Sequence, residues 1–486
     1  MNVLFVSSEI YPLNKTGGLG DVAYSLPHAL SEVGQDVRIL MPAYRSVIEK
    51  VDSLCPVGRF DLIGQHQRHS VRVFQATHSE FNVRLYLVDC QPLYDRPGNP
   101  YLQPGGQDWP DNAERFTVFA RAAEQIAIHG CDDGWQPDIV HCNDWQCGLI
   151  PALLSTHTRR PRSVFTIHNL AYGGHFSAAD YHALQLPPAL WHMEGAEFHG
   201  GFSMLKCGIV FADAVTTVSP TYAREICTPE HGWGMDGVLR AHQHKLYGIL
   251  NGIDERHWDP AQDPALPLPY TVETVDAGKR AAKQALLQHF QPDIDQADAL
   301  DRPLVGLVGR LVMQKGIDLI IDVLPNILAT SEAHFVFLGT GDHQWEQRLT
   351  ALAKRHPQRI MLEVGFSENR AHLIEASADL FLMPSRFEPC GLNQLYSLRY
   401  GTPPVVHNTG GLADTVVHTT PATLANATAN GFVFDTPTPA ALATCLASAL
   451  EAFADKSRWS RLITHGMSLD LGWNGRALQY LERYHH

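Results

Sequence analysis

The chain has 486 residues, with 37 Lys and Arg against 51 Asp and Glu for a formal net charge of −14, and it is 45% hydrophobic and 18% charged. That balance suits a folded protein with a sizeable core and excludes a disordered chain, a collagen or a coiled coil, while an acidic chain without Lys/Arg blocks is a poor partner for nucleic acid. No apolar run approaches the ~20 residues that span a bilayer, and nine scattered cysteines with no C-x-x-C pair fit a reducing compartment, so the expected setting is cytoplasmic, away from membranes.

In chain order, short β-rich runs alternate with helical patterns, which predicts an α/β protein with parallel sheets covered by helices on both faces. Residues 2–6 read as the first strand, 21–33 as a helix and 36–41 as the next strand. Further strands are predicted at 83–88, 139–142, 163–167 and 214–217, with helices over 145–154 and after Ile209. Turn formers crowd together at residues 259–269, where an interdomain linker is expected. The rhythm then restarts with strands at 304–309, 334–338, 360–364 and 380–383 and helices at 316–328, 344–355 and 368–376. The Thr/Ala-rich stretch 419–428 reads as a surface loop. The predicted division is 1–252, 253–469 and a terminal helix within 470–486 that packs back across the interface.

Polar residues collect just beyond strand ends, where open α/β sheets bind their ligands. A long loop from Ser7 to Gly20 carries Lys15 and Gly18 into a helix start, offering a full positive charge beside backbone N–H groups. Gly18-x-Gly20-x-x-Ala23 also spells part of a dinucleotide fingerprint, but no acidic residue ends the second strand at Met41-Pro42. Asp144 follows one strand and His168-Asn169 the next, so a carboxylate and an imidazole converge where hydroxyl-rich ligands would be held. Helix N-capping by Asp144 and a satisfied core role for His168 remain the alternative readings at this point. Glu197 to Gly200 reads as a structural loop. In the second half Arg310 and Lys315 put two cations between a strand and a helix, a fork and a point charge suited to a diphosphate. Glu388 precedes Pro389 at another helix start, where the amides of Cys390, Gly391 and Leu392 lie, and Thr409-Gly410 opens a further glycine turn. Asp293-Ile-Asp295 spells the D-x-D of metal-dependent transferases but stands apart from these motifs, and no H-E-x-x-H spacing accompanies the histidines.

The strings K-T-G-G-L-G-D-V from Lys15, H-C-N-D-W-Q from His141, T-I-H-N-L-A-Y from Thr166, V-S-P-T-Y-A-R-E-I from Val218, N-G-I-D from Asn251, G-R-L-V-M-Q-K-G from Gly309, S-R-F-E-P-C-G-L from Ser385 and T-G-G-L-A-D-T-V from Thr409 resemble the bacterial glycogen synthase and plant starch synthase family. The resemblance covers nearly the whole chain in order. It implies a GT-B fold, two Rossmann-like doubly wound domains facing a deep interdomain cleft, and transfer of glucose from ADP-glucose to the non-reducing end of an α-1,4-glucan with retention. It makes Lys15, Gly18, Arg310 and Lys315 ligands of the donor phosphates, and gives His168, Asn169, Asn251, Thr409, Gly410 and the amides of Cys390, Gly391 and Leu392 to the sugar and its surroundings. Glu388 is implied near the sugar ring, Asp144 near the reacting face, and Phe366 under adenine. Tyr94, Tyr101, Trp109 and Tyr172 are candidates to stack on glucan, whereas core packing is the expectation for Trp145. Lys283 is a weaker candidate whose alternative is a solvated helix cation. Asn393 departs from the Thr usual in the family after C-G-L. The partners implied are ADP-glucose and an α-1,4-glucan such as glycogen, with no metal or other cofactor and the oligomeric state left open. A UDP-glucose-dependent GT-B glucosyltransferase, a phosphorylase-like enzyme and a non-catalytic glucan-binding protein are the competing readings.

Overall fold

The computed structural model describes residues 1–132, 134–291 and 296–485. It divides into two compact units: Met1–Asn251 together with Trp473–His486, and Gly252–Gly472. Asp293 and Asp295 lie outside the described residues.

Among the described residues of the first unit, β1 (Asn2–Val6), β2 (Asp36–Pro42), β3 (Ser53–Ile63), β4 (Arg68–Thr77), β5 (Arg84–Asp89), β6 (Ile139–Asn143) and β7 (Arg162–Ile167) belong to one large sheet. A small second sheet follows, made of β8 (His175–Ser177), β9 (Glu197–Phe198) and β10 (Gly201–Ser203). The chain then returns to the large sheet with β11 (Ala214–Thr217) and β12 (Leu246–Gly248). The large-sheet order is β12-β11-β7-β6-β1-β2-β5-β4-β3. Pairing is parallel from β12 through β5, and the chain order jumps outward from β1 in both directions, as in a doubly wound sheet. Strands β1, β6 and β7 are buried almost throughout, as strands in the middle of a parallel sheet covered on both faces are, and the polar side chains they carry are buried with them.

The far edge differs from the parallel expectation. β3 and β4 form an antiparallel hairpin, and β4 pairs antiparallel with β5. In β4, His69, Val71 and Val73 are buried between exposed neighbours, the period-2 pattern of a strand with one wet face. That pattern is short and includes charged residues, so it did not stand out as an apolar run.

Local boundaries also move. The first helix is Gly18–Glu32 rather than 21–33, which places Gly18 in its first turn. The predicted 145–154 helix is a 3-10 turn, Trp145–Cys147, followed by Leu149–Leu154. The helix expected after Ile209 instead runs Met204–Phe211 and ends before β11. The stretch 419–428 holds a short helix, Pro421–Ala425, closed by a Thr420/Thr423 capping box. Trp145 packs edge-on against Phe116, with ring centroids 4.9 Å apart.

The second unit carries β13 (Leu304–Val308), β14 (His334–Gly339), β15 (Ile360–Val364), β16 (Leu380–Met383), β17 (Pro404–His407) and β18 (Phe432–Phe434) in the order β15-β14-β13-β16-β17-β18, all parallel. Its core is contiguous, from Leu304 and Phe335 in the sheet to Leu442 and Trp459 in the covering helices. The Pro-rich stretch near 259–269 is folded onto this unit: Trp258 stacks on His372 and Tyr396, and buried Asp263 accepts from Tyr400 Oη at 2.5 Å and pairs with His372 Nδ1 at 2.7 Å. The C-terminal helix, Asn474–His485, belongs to the first unit, where it meets β7 and the helix Gly18–Glu32.

Lys283 is not a solvated cation. It is buried in the helix Val275–Phe290, with Nζ 2.8 Å from Asp379 Oδ2 and a second bond to Arg302 O, while Asp379 Oδ2 also accepts from Leu304 N at 2.8 Å. The ion pair therefore fixes the start of β13. Lys283→Ala should lose about 3 kcal/mol or more, because it strands a partly buried carboxylate without its cation; urea denaturation followed by circular dichroism measures this, and a loss below about 1 kcal/mol would contradict it.

Candidate functional site

In the first unit three strand ends carry the polar residues. After β1 the chain runs into buried Glu9, whose carboxylate accepts from Thr16 N and Thr16 Oγ1 at 2.5 Å each, from Gly17 N at 3.2 Å and from Tyr101 Oη. A single carboxylate thus shapes the loop that presents Lys15 and Gly18, and sequence reasoning did not single it out. Its only signal was a carboxylate between a buried strand and a glycine loop. Lys15 Nζ rests 2.7 Å from Asp21 Oδ1, with its side chain about one third exposed.

β6 and β7 deliver Asn143, Asp144, His168 and Asn169. Asn143 Nδ2 donates to Val6 O at 2.9 Å, which turns its Oδ1 toward His168, and His168 Nε2 donates to it at 2.9 Å. Burial lowers the His168 pKa to about 3, so the ring is neutral near pH 7 and its Nδ1 is left as an acceptor. Asp144 does not N-cap the turn that follows it. Its Oδ1 accepts from His168 N at 2.7 Å and Asn169 N at 3.3 Å, tying the ends of β6 and β7 together. Burial pushes its pKa up to about 7 against the opposing pull of those two N–H groups. Its φ of 55° and ψ of −179° lie where glycine is at ease and an Asp is strained. Asn251 is buried at the end of this unit, and its Oδ1 has no partner among the described residues.

Tyr94, predicted as a glucan contact, takes no part in this cluster, and the Glu197 to Gly200 loop is structural as read from the sequence. Tyr94 is 1% exposed and its hydroxyl donates to Arg115 O at 2.8 Å, so the ring is core and not a glucan platform. Glu197 accepts from Gly200 N at 2.7 Å and closes a turn of the small sheet. Tyr172, by contrast, is exposed beyond the His168 loop. A cavity of about 420 Å3 between β12 and the C-terminal helix, lined in part by Tyr247 and Arg483, contains none of the candidate residues.

In the second unit the ends of β13, β16 and β17 meet. Lys315 Nζ lies 2.5 Å from Glu388 Oε2, which also accepts from Ser385 Oγ at 2.9 Å; Glu388 is buried and Lys315 partly exposed. Ser385 is held in turn by His407 Nδ1 donating to its carbonyl at 2.8 Å. Gln314, quoted within a motif but given no role, bridges the parts: its Oε1 accepts from Arg310 Nη2 at 2.9 Å, its carbonyl accepts from Arg386 N at 2.8 Å, and its Nε2 donates to Phe387 O at 3.3 Å. Arg310 itself is exposed, and Phe366 stands exposed beyond β15.

Two glycines are demanded by close approach. Gly316 has φ 70°, and a Cβ there would lie 2.2 Å from Pro384 O. Gly410 has φ 46°, and a Cβ there would lie 2.0 Å from Glu388 O, while the next amide, Gly411 N, donates to that carbonyl at 3.1 Å. The Thr409-Gly410 turn therefore holds Glu388 from behind. Gln394 Nε2 donates to Cys390 O at 3.0 Å and Gly391 O at 3.1 Å, which fixes the loop leading through Leu392 into the helix Asn393–Arg399. Asn393, the departure noted in the sequence, donates from Nδ2 to Val308 O at 2.6 Å and so clamps this helix to the end of β13.

Among the described residues no three His, Cys, Asp or Glu side chains gather as metal ligands do, and no helix is long and apolar enough to cross a membrane.

Residues 2–241 match the family model described as the starch synthase catalytic domain, and residues 291–461 match that for glycosyl transferases group 1. The chain is 51% identical to a glycogen synthase of Thioalkalivibrio sulfidiphilus, covering 100% of this chain and 99% of that protein, and 48% identical to a glycogen synthase of Hydrogenovibrio crunogenus over 99% of each. In structure it is similar to the catalytic domain of starch synthase IV from Arabidopsis thaliana bound to ADP and acarbose, with a TM-score of 0.88, 31% identity, and 99% of this chain and 98% of that one covered. A sucrose-phosphate synthase from Thermosynechococcus elongatus, at a TM-score of 0.60 and 18% identity over 100% of this chain and 98% of that one, shares the fold.

Two outcomes follow from the site geometry. With a folded pKa near 3, His168 refuses the proton that the unfolded chain takes near its ordinary 6.5, so its contribution to stability is present above pH 6.5 and lost as pH falls toward 3. Its two ring nitrogens should keep the distinct nitrogen-15 shifts of a neutral imidazole, one protonated and one bare, from pH 5 to 8, and a change to imidazolium shifts inside that range would refute the neutral assignment. Gly410→Ala should displace the Glu388 loop and cost about 2–4 kcal/mol in chemical denaturation, combining left-handed strain with overpacking.

Proposed function

The chain belongs to the glycogen synthase family of GT-B glycosyltransferases, and on that premise we propose that it moves glucose from ADP-glucose to the non-reducing end of an α-1,4-glucan with retention of configuration, releasing ADP in the cytoplasm. The observation that carries this reading is the Lys315–Glu388 pair at the joined ends of β13 and β16, a full cation against a buried carboxylate. The ADP and acarbose bound to the starch synthase neighbour support the donor and acceptor classes.

In this reading Arg310 and Lys315 take the donor diphosphate, and Lys15 with the Gly18 amide are phosphate ligands as well. Negative charge grows on the diphosphate as the bond from the anomeric carbon to the phosphate oxygen breaks, and fixed cations lower the energy of that state more than that of the bound donor. Glu388 exchanges its Lys315 contact for the sugar, while Asn251 and the Cys390, Gly391 and Leu392 amides take hydroxyls. Thr409 and Gly410 hold the Glu388 loop, and Phe366 lies against the base. Neutral His168 accepts a sugar hydroxyl at Nδ1, and Asp144, with Asn169 beside it, faces the acceptor. The acceptor hydroxyl attacks on the face from which the phosphate departs, and its proton passes to the leaving phosphate oxygen. That route needs no second carboxylate at glycosidase spacing and no metal, since the lysines and arginine meet the phosphate charge.

Nucleoside diphosphate release from ADP-glucose and from UDP-glucose, each with and without glycogen, tests the reading. Primer-dependent ADP release is expected; UDP release would reassign the donor, and no release from either would favour a glucan-binding protein. Lys315→Ala should keep the fold and lose ~10²–10³-fold in kcat, the usual scale for a lost electrostatic donor, and near-normal turnover of the folded variant would reject the role.

A further inference from the structure

The C-terminal helix reaches a buried polar ladder that the mechanism above does not use. Tyr484 Oη, at the end of that helix, lies 2.7 Å from His141 Nδ1 on β6. His141 Nε2 lies 2.6 Å from Thr166 Oγ1 on β7, and Thr166 Oγ1 lies 2.6 Å from Thr216 Oγ1 on β11. All four side chains are buried, His141, Thr166 and Thr216 fully so. Tyr480 of the same helix packs on the His141 ring, with centroids 5.3 Å apart, and Phe5 of β1 meets it edge-on at 4.8 Å.

Such a ladder is costly in a parallel sheet whose neighbours are Val140, Cys142, Val164 and Phe165, because each member must find its partner or stand unpaired in apolar surroundings. Its position in the strands is informative. Side chains two residues apart share a face of a strand, so His141 lies beneath Asn143 and Thr166 beneath His168. Asn143 and His168 are the two groups whose hydrogen bond sets the imidazole, and Asn143 Nδ2 also approaches His141 O at 3.4 Å. The ladder crosses from β6 to β7 one step below that bond and fixes the spacing of the two strand ends.

We propose that Tyr484 and His141 are positioning residues for the sugar-side site: through Thr166 the docked C-terminal helix holds β6 and β7 at the separation at which Asn143 orients His168 and Asp144 receives the His168 and Asn169 amides. The inference rests on the proposed transfer reaction for its effect on turnover, but the geometry it concerns can be read without turnover. Neither residue touches substrate; they act by keeping the imidazole and the carboxylate where the acceptor and the sugar meet them, which is the requirement that makes small misplacements expensive.

The test uses the full chain and three variants. Tyr484→Phe removes one hydroxyl and leaves His141 Nδ1 without its partner. His141→Phe removes the ladder's centre. Tyr181→Phe is the matched control, since Tyr181 is equally buried in the same unit and donates to Pro187 O at 2.7 Å away from the strand ends. Assayed at a temperature where circular dichroism shows each variant folded, Tyr484→Phe should lower kcat about fivefold or more with the donor KM within twofold, and Tyr181→Phe should leave both unchanged. Nitrogen-15 shifts of the His168 ring should move in Tyr484→Phe and not in Tyr181→Phe. If His141→Phe does not fold, the Tyr484 variant carries the test alone. An unchanged kcat together with unmoved His168 resonances would overturn the proposal, as would an equal loss in the control. A wild-type chain with no transferase activity would overturn the functional reading instead, and the His168 shifts would still decide the positioning role.

Discussion

A parallel sheet covered on both faces leaves polar side chains two places: beyond the carboxyl ends of the strands, or in ladders in which every member is paired. Much of both units follows this constraint, with His334 at the start of β14 an exception, buried with neither ring nitrogen hydrogen-bonded among the described residues. In the first unit β1, β6 and β7 are buried along most of their length and deliver Glu9, Asn143, Asp144 and His168 at or within a few residues of their ends. In the second, β13, β16 and β17 do the same for Arg310, Lys315, Glu388 and Gly410. Three polar residues inside the first sheet, His141, Thr166 and Thr216, are hydrogen-bonded in a chain that His141 links to Tyr484 of the C-terminal helix.

The Asp144–His168 cluster and the Lys315–Glu388 cluster handle their charges differently. The first uses desolvation: Asp144 is pushed up to about 7 and His168 held down to about 3 by the same burial, so one becomes easier to protonate and the other stays neutral. The second uses pairing, Lys315 with Glu388, and elsewhere in the second unit Arg386 with Asp318 and Lys283 with Asp379 hold loops and strand starts in place.

Backbone geometry carries part of the design. Gly316 and Gly410 let loops approach Pro384 and Glu388 more closely than any Cβ permits, while Asp144 accepts a strained backbone to place its carboxylate. Strain of this kind persists only where surrounding contacts over-determine it, and at Asp144 the two N–H groups at the end of β7 supply them.

The α/β class, the parallel strands, the restart after the Pro-rich stretch and the family were all legible in the sequence, because buried parallel strands are continuous apolar runs and strand-end motifs are contiguous strings. Each of those signals is local. Glu9, Gln314, the β3–β4 hairpin and the Tyr484–His141 contact were not legible, nor was the core placement of Tyr94 or the ion pair of Lys283. Their meaning depends on partners that the chain brings together only on folding, as far as the 343 positions between His141 and Tyr484. Sequence by itself determined which residues gather at strand ends and which chemistry they could perform. Tertiary structure decided which of them are neutral, which are paired and which are simply core, because burial and hydrogen-bond partners are properties of packed neighbours and not of a chain segment.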